Sequence, residues 1–400
     1  MIRGTRIAAL VFLWLAPLCI FSVAFSGDWV STWRELGVPA MVPHFLDLDS
    51  IPAGVETMHN GGDPLVANPA DPAHRPMNYP RIWMYLFSAV RITRANVSIV
   101  ALLFCGLYLA CISVLIVQAR RAIEMVVLVL GALSVAPLLA MERGNNDLFV
   151  FAVVFLGCVA TNEYLRSGAL GFAALLKIYP MAAMMIDTLR RPPKQRQVAI
   201  LLTVLVIVLL ALQWRDFSLI RRGTPASRTL SYGAFSLEGE ILHDSFRWGF
   251  SAGVGWMIVV ECWIAGTLAA VYGWKKSWEA GGADANPMYL ELFTGFGAMY
   301  AFTYAIGSNW DYRLILLVPT LPHVLEIARS SSHRAWAVVY ICLVILAENT
   351  VGFAQYGGTP AGHLVTFALF LMILASLAGQ SKKYLLSGEA HELVGARLAG

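Results

Sequence analysis

Charge is what this chain has least of. Only 14% of its 400 residues are Asp, Glu, Lys or Arg, against about 25% in a soluble globule. The formal net charge of +4 is small and spread along the chain, which argues against a nucleic-acid partner. Cysteine is scarce too. Cys19, Cys105, Cys111, Cys158, Cys262 and Cys342 all lie in or beside apolar runs. A disulfide framework or a zinc site needs clustered, water-facing cysteines, so these six read as small buried hydrophobes. The chain carries no glycine-rich nucleotide loop, no Walker signature and no metal-spaced His/Cys set. It also has no internal repeat, linker or low-complexity tract, so one domain with short tails is expected.

What it has instead is apolar sequence. Hydrophobic residues make up 58% of the chain and the mean hydropathy is +0.65. Several runs reach the roughly 20 residues needed to cross a hydrocarbon core of about 30 Å. The class is an all-α polytopic membrane protein, every spanning backbone group being satisfied inside its own helix. About ten transmembrane helices plus a re-entrant helix pair are predicted. Arg3 and Arg6 precede the first run, Ile7 to Val23, which reads as an uncleaved span rather than a signal peptide, although Ser22-Val23-Ala24 offers small residues for cleavage. The positive-inside rule keeps both termini and the basic stretch Arg190 to Arg196 in the cytoplasm, and puts a long polar loop, residues 27–80, outside. Arg81 to Arg94 reads as an amphipathic helix lying on the membrane. Gly168 to Leu189 is too short for two crossings, and Tyr179-Pro180 breaks it into two half-helices. The loop from Trp214 to Trp248 carries Arg215, Arg221, Arg222, Arg228 and Arg247 yet falls outside, which suits a surface facing phosphate.

The polar residues gather in a few places. The outer loop holds Asp47-Leu48-Asp49, whose two carboxylates suit a general base or a metal site, or else a solvated acidic turn. Prolines and the Gly61-Gly62-Asp63-Pro64 turn stiffen the backbone around them. Glu142-Arg143-Gly144-Asn145-Asn146-Asp147 joins two spans; Asn146 or Asp147 suits a helix cap, and Arg143 suits a phosphate reader. Lys177 is an ammonium inside an apolar segment, a functional candidate unless it snorkels to the interface. Asp311 and Arg313 are close enough to pair with each other. His243-Asp244-Ser245 is the weakest of these constellations.

In this order, the residues resemble the integral-membrane glycosyltransferases of the GT-C superfamily, above all glycosyltransferase family 87 (bacterial mannosyltransferases that use polyprenol-phosphate mannose), and the catalytic mannosyltransferase of GPI-anchor synthesis. The resemblance covers about residues 1 to 325. It rests on Asp47-Leu48-Asp49, Gly61-Gly62-Asp63-Pro64, Asn78-Tyr79-Pro80, Arg143-Gly144-Asn145, Lys177-Ile178-Tyr179-Pro180 and Trp310-Asp311-Tyr312-Arg313 followed by Leu316-Leu317-Val318-Pro319. Many relatives have histidine where this chain has Asp311.

The resemblance implies a GT-C-like transmembrane domain over residues 1–381, with residues 382–400 as a cytoplasmic tail, in a bacterial inner membrane. It implies transfer of a hexose such as mannose from a polyprenyl-phosphate donor to a lipid or glycan acceptor on the outer face. Asp47 is then the general base, with Asp49 the second choice. Arg143, Lys177 and Arg313 hold the donor phosphate. Asp63, Tyr79, Asn145, Tyr179, His243 and Asp311 contact substrate. No cofactor is required, and a divalent metal is left open. The rival class is a transporter or lipid flippase, which the broken helix and Lys177 also suit; its polar residues belong near the midplane, whereas here they gather on one face.

Overall fold

The structure, a computed structural model, describes residues 2–191, 193–224, 227, 230–237, 252–276, 286–329, 333–354 and 359–386. It is helical nearly throughout. The first helix, α1 (Ile2–Ser26), is apolar on most of its exposed face. Among the described residues, five helices are long and apolar enough to cross a membrane: Ile2–Ser26, Arg94–Gln118, Gln195–Leu212, Trp256–Lys276 and Pro360–Lys382. A sixth crossing arises if Ala122–Ala132 and Val135–Glu142, bent by 46° at their junction, count as one span. Of the ten spans expected from the hydropathy, the described helices support five to six by length and composition, and other apolar runs, such as Asp147–Val159, fold as shorter helices.

The long polar loop is folded. Asp28 caps α2 (Trp29–Glu35), its carboxylate accepting from the Val30 and Ser31 amides. A second helix, α3 (Leu46–His59), begins with Asp47 and Asp49 in its first turn, where carboxylates meet the positive end of the helix dipole. Eight residues form α4 (Ile82–Ala89). Its Trp83, Met84 and Phe87 are buried and it packs on α3, so it is a core element and not a helix lying free on the membrane.

Next come α5 (Val97–Gln118), α6 (Ala122–Ala132) and α7 (Val135–Glu142). Gly144 turns the chain between α7 and α8 (Asp147–Val159). Its φ of +57° belongs to glycine, and an added Cβ would sit 2.9 Å from the Phe45 Cβ and 3.0 Å from the Ala101 Cβ. The turn is thereby pressed against the start of α3. The apolar run after it is interrupted at Lys177–Pro180, between α9 (Glu163–Leu176) and α10 (Met181–Arg190), where proline cannot donate to the ladder.

Later in the chain, Ser231–Tyr232 pairs antiparallel with Asn309–Trp310. This two-stranded ribbon anchors the chain just past the helix Pro287–Ile306. A ten-residue 3-10 segment, Asp311–Thr320, follows and is buried against α7 and Pro287–Ile306. The last described helix, Thr359–Leu386, runs past residue 381.

Candidate active site

Four separate stretches meet at one end of the helices: the start of α3, the α7–α8 turn, the α9–α10 break and the segment after Asn309. Each places its polar groups where a helix starts or stops, the position at which backbone groups lack partners within the helix.

The centre is Asp147, the first residue of α8 and 1% exposed in its side chain. Lys177 Nζ lies 2.5 Å from its Oδ1, and Tyr179 donates its hydroxyl to the same oxygen at 2.5 Å. Arg313 Nε donates to Oδ2 at 3.2 Å, while Arg313 Nη1 donates to the Asn309 side-chain oxygen at 2.5 Å. Aromatic faces complete the enclosure. Lys177 sits 5.0 Å from the Tyr79 ring centre and Arg313 lies 5.5 Å from that of Tyr179, both within cation–π range.

Asn145 links this centre to a second carboxylate. Its side-chain oxygen accepts from the Asp147 amide at 2.9 Å, and its Nδ2 donates to Asp47 Oδ2 at 3.0 Å. The other Asp47 oxygen accepts from Arg75 Nη1 at 3.2 Å. Arg75 is shared, because it also binds buried Asp71. Asp47 keeps 15% of its side chain exposed, so it is the accessible carboxylate of the group.

The charges divide unevenly. Around Asp147, two cations face one carboxylate, a net +1. Around Arg75, two carboxylates face one cation, a net −1. Asn145 stands between the two lobes.

Several expected site residues lie elsewhere. Asp47 and Asp49 are two residues apart on a helix, about 200° around its axis, so they cannot aim at one point. Asp49 is held instead by Arg94, whose Nε and Nη2 each lie 3.1 Å from one of its oxygens. Arg143 and Lys177 do not converge on one cavity. The Arg143 guanidinium pairs with Glu142 at 3.0 Å and donates to the Pro39 carbonyl at 2.9 Å, because the left-handed Gly144 reverses the chain between Arg143 and Asn145. Asp63 is at the surface, bound by Arg81, which also pairs with Asp216. That hydrogen bond from Arg81 holds the Asp63 carboxyl below its usual range.

Asp311 does not pair with Arg313. It lines a small cavity with Ser231, Tyr232, Thr350, His363 and Thr366, and burial pushes its carboxyl up to about 8. His243 lies outside the described residues. Sequence reasoning passed over Asp71, Arg75 and Asn309, all of which hold a member of the cluster in place. It also assigned Asp147 only a capping role, although Asp147 shares its turn with Asn145. Neighbouring Asn146 is buried, and neither atom of its amide has a hydrogen-bond partner among the described residues. Among the described residues, no three His, Cys, Asp or Glu side chains are grouped to hold a metal ion.

The cluster therefore offers a partly open carboxylate beside a lobe of excess positive charge, an arrangement suited to taking a proton at one point and stabilising negative charge at another. Among curated proteins, none matches this chain. Residues 78–289, just over half of the chain, match glycosyltransferase family 87; this stretch contains Asn145, Asp147, Lys177 and Tyr179, and the chain belongs to that family of membrane glycosyltransferases.

Proposed function

We propose that the chain transfers a hexose, such as mannose, from a polyprenyl-phosphate carrier to a lipid or glycan acceptor at the extracytoplasmic surface. The observation that carries this reading is the charge division: a net negative lobe at Asp47 and a net positive lobe at Lys177 and Arg313, joined through Asn145.

The reaction asks for both lobes. The acceptor hydroxyl loses its proton to the Asp47 carboxylate as its oxygen bonds to the anomeric carbon. The bond from that carbon to the phosphate oxygen breaks, and the carrier leaves as polyprenyl phosphate with one more negative charge. Lys177 and Arg313 meet that charge, and the excess +1 around Asp147 is there before reaction starts, so little reorganisation is required. Asp147 itself is too enclosed to be the base, since its side chain is 1% exposed and holds two cations and a hydroxyl, whereas Asp47 is 15% exposed with one cation and one amide on it. Tyr79 and Tyr179 exclude water and hold the two cations in place.

The test compares Asp47→Asn with Asp49→Asn in sugar transfer from a polyprenyl-phosphate donor, with membrane abundance followed in parallel. Asp47→Asn is expected to lose transfer by about 10²–10⁴-fold, and Asp49→Asn to retain the chemical step. Wild-type transfer by Asp47→Asn would remove this reading of the cluster.

A further inference from the structure

The second face of α3 has its own recess. A cavity of about 340 Å³ opens between the Val42–His44 loop, Asp49, Arg94 and the first turn of α5, with Val97 and Ser98 on its wall. That volume falls in the range of about 300–1,000 Å³ of small-molecule sites. The cavity belongs neither to the Asp147 cluster nor to the Asp47 lobe. We propose that it binds the neutral sugar headgroup of a glycolipid acceptor, at a unit distant from the hydroxyl that reacts; this rests on the transferase reading above.

The charged groups decide the class of ligand. Arg94 and Asp49 form a side-on pair with both bonds at 3.1 Å, and the Asp49 side chain is only 5% exposed. A phosphate or carboxylate ligand would meet an Arg94 whose charge Asp49 already offsets, with the Asp49 carboxylate alongside to repel a second anion. A sugar need not break the pair. The guanidinium shows its remaining N–H donors beside the remaining lone pairs of the carboxylate, an adjacent donor and acceptor that match vicinal hydroxyls. The Ser98 hydroxyl and the His44 imidazole add further polar atoms, while Val42, Pro43 and Val97 supply apolar surface for the C–H face of a sugar ring. Burial lowers the basicity of His44, so at neutral pH its ring offers one donor and one acceptor rather than a charge.

The recess is braced by aromatic packing and lies close to Asp47. His44 stacks on Trp29 with ring centres 4.2 Å apart, and Trp29 donates at 3.1 Å to Glu142, the last residue of α7 and directly before the turn that carries Asn145. The recess and Asp47 flank the same helical turn, separated by a helix about 10–12 Å across, a width that linked sugars of one headgroup can span. It also lies at the start of the span Arg94–Gln118 and just beyond the end of Ile2–Ser26. Val42, which lines the recess and is 65% exposed, offers apolar surface on which the lipid part can rest.

The experiment uses the full chain in phosphatidylcholine nanodiscs and two photoreactive probes, dodecyl maltoside and dodecyl phosphate, each with a diazirine near its headgroup. The maltoside is expected to label residues 42–49 and 94–98, and the phosphate to label them at background. Arg94→Ala should cut maltoside labelling at least tenfold. Ser98→Trp, which fills the recess and leaves the ion pair intact, should do the same if Arg94→Ala fails to fold. Equal labelling by the phosphate, or maltoside labelling that survives Ser98→Trp, overturns the proposal. Labelling needs no turnover, so the parent reading is tested separately. Loss of transfer in Asp47→Asn with no maltoside label in the recess refutes this site alone. A labelled recess with transfer unaffected in Asp47→Asn upholds the site and refutes Asp47 as the base.

Discussion

Two buried ionic networks sit at opposite ends of the same helices. One is the Asp147 cluster. The other joins Arg166, Arg190 and Arg191 to Asp187 and Glu291, at distances of 2.7–3.1 Å. Arg166 and Lys177 lie near the two ends of α9, about 16 Å apart along its axis. Both networks hold three or more charged groups, both carry a net +1, and sequence composition does not tell them apart. Their construction does. The far network is drawn from the bodies and ends of helices, and its Glu291 is itself 23% exposed, so partial exposure alone does not separate the two. The Asp147 cluster is drawn from interruptions: a helix start, a break and a segment after a ribbon. It borders a second lobe of opposite sign, and one of its neighbours, Asp47, is partly open. Buried charge alone is weak evidence of function, because purely structural ion-pair networks bury charge as well. An uneven charge division next to an accessible base is stronger evidence.

The comparison is broken most directly at its two central carboxylates. Asp147→Ala leaves Lys177 and Arg313 buried with no counter-charge, which costs about 3–5 kcal/mol, a large part of the roughly 5–15 kcal/mol that holds a domain together. Folded protein and transfer are expected to disappear together, as read by size-exclusion profile and by assay. Full retention of folded, active protein would mean that Asp147 is not the keystone of the cluster. Glu291→Gln, at the far end, weakens the pairs to Arg166 and Arg190 but leaves hydrogen bonding possible. It should lower the melting temperature while transfer per folded molecule stays within about threefold of wild type, because no interaction specific to the transition state is lost. A drop of a hundredfold in specific transfer would show that the two ends are coupled.

Much of this was legible in the sequence. Low charge and long apolar runs give the all-α membrane class, and Pro180 after Tyr179 marks the helix break that delivers Lys177. Asn145 and Asp147 stand in one turn because Gly144 lets the chain reverse there. The rest depends on tertiary packing. Arg75 meets Asp47 across 28 residues and Arg313 meets Asp147 across 166, pairings that no local pattern encodes. The Asp-Leu-Asp motif misled for a definite reason. In a loop, two carboxylates spaced by one residue can converge, but on α3 the helical twist sends them to opposite faces. Span counting went beyond the five to six crossings that the described helices support, since hydropathy does not distinguish a lipid-facing helix from a buried one.

Arginine chemistry sharpens the comparison further. Arg313 makes two directed bonds, one to Asp147 and one to Asn309, and the compact ammonium of lysine cannot hold both. Losing one charge-assisted hydrogen bond, worth about 1.5–3 kcal/mol, corresponds to roughly 10–10²-fold in rate if it acts in the transition state. Arg313→Lys should therefore lower kcat by that amount, with the KM for the donor changed less. A large rise in KM with kcat intact would make Arg313 a binding residue that acts equally on ground and transition states.

The smallest effect concerns Tyr79, whose ring lies beneath Lys177 at 5.0 Å. Its contribution is through the ring face rather than through charge on the hydroxyl, because burial, with Asp47 and Asp147 nearby, pushes that hydroxyl well above its usual range and it stays protonated at any working pH. Tyr79→Phe keeps the aromatic face and should leave transfer within about threefold of wild type. Tyr79→Leu removes the ring quadrupole and loses the cation–π attraction, about 0.5–2 kcal/mol, or roughly 2–30-fold in kcat/KM for the donor. A difference between Phe and Leu therefore reports on Lys177 itself. In a Lys177→Met background, where no ammonium remains to be held, the two Tyr79 variants should become equal; if Leu still falls below Phe there, the ring serves to pack the site and not to orient the cation.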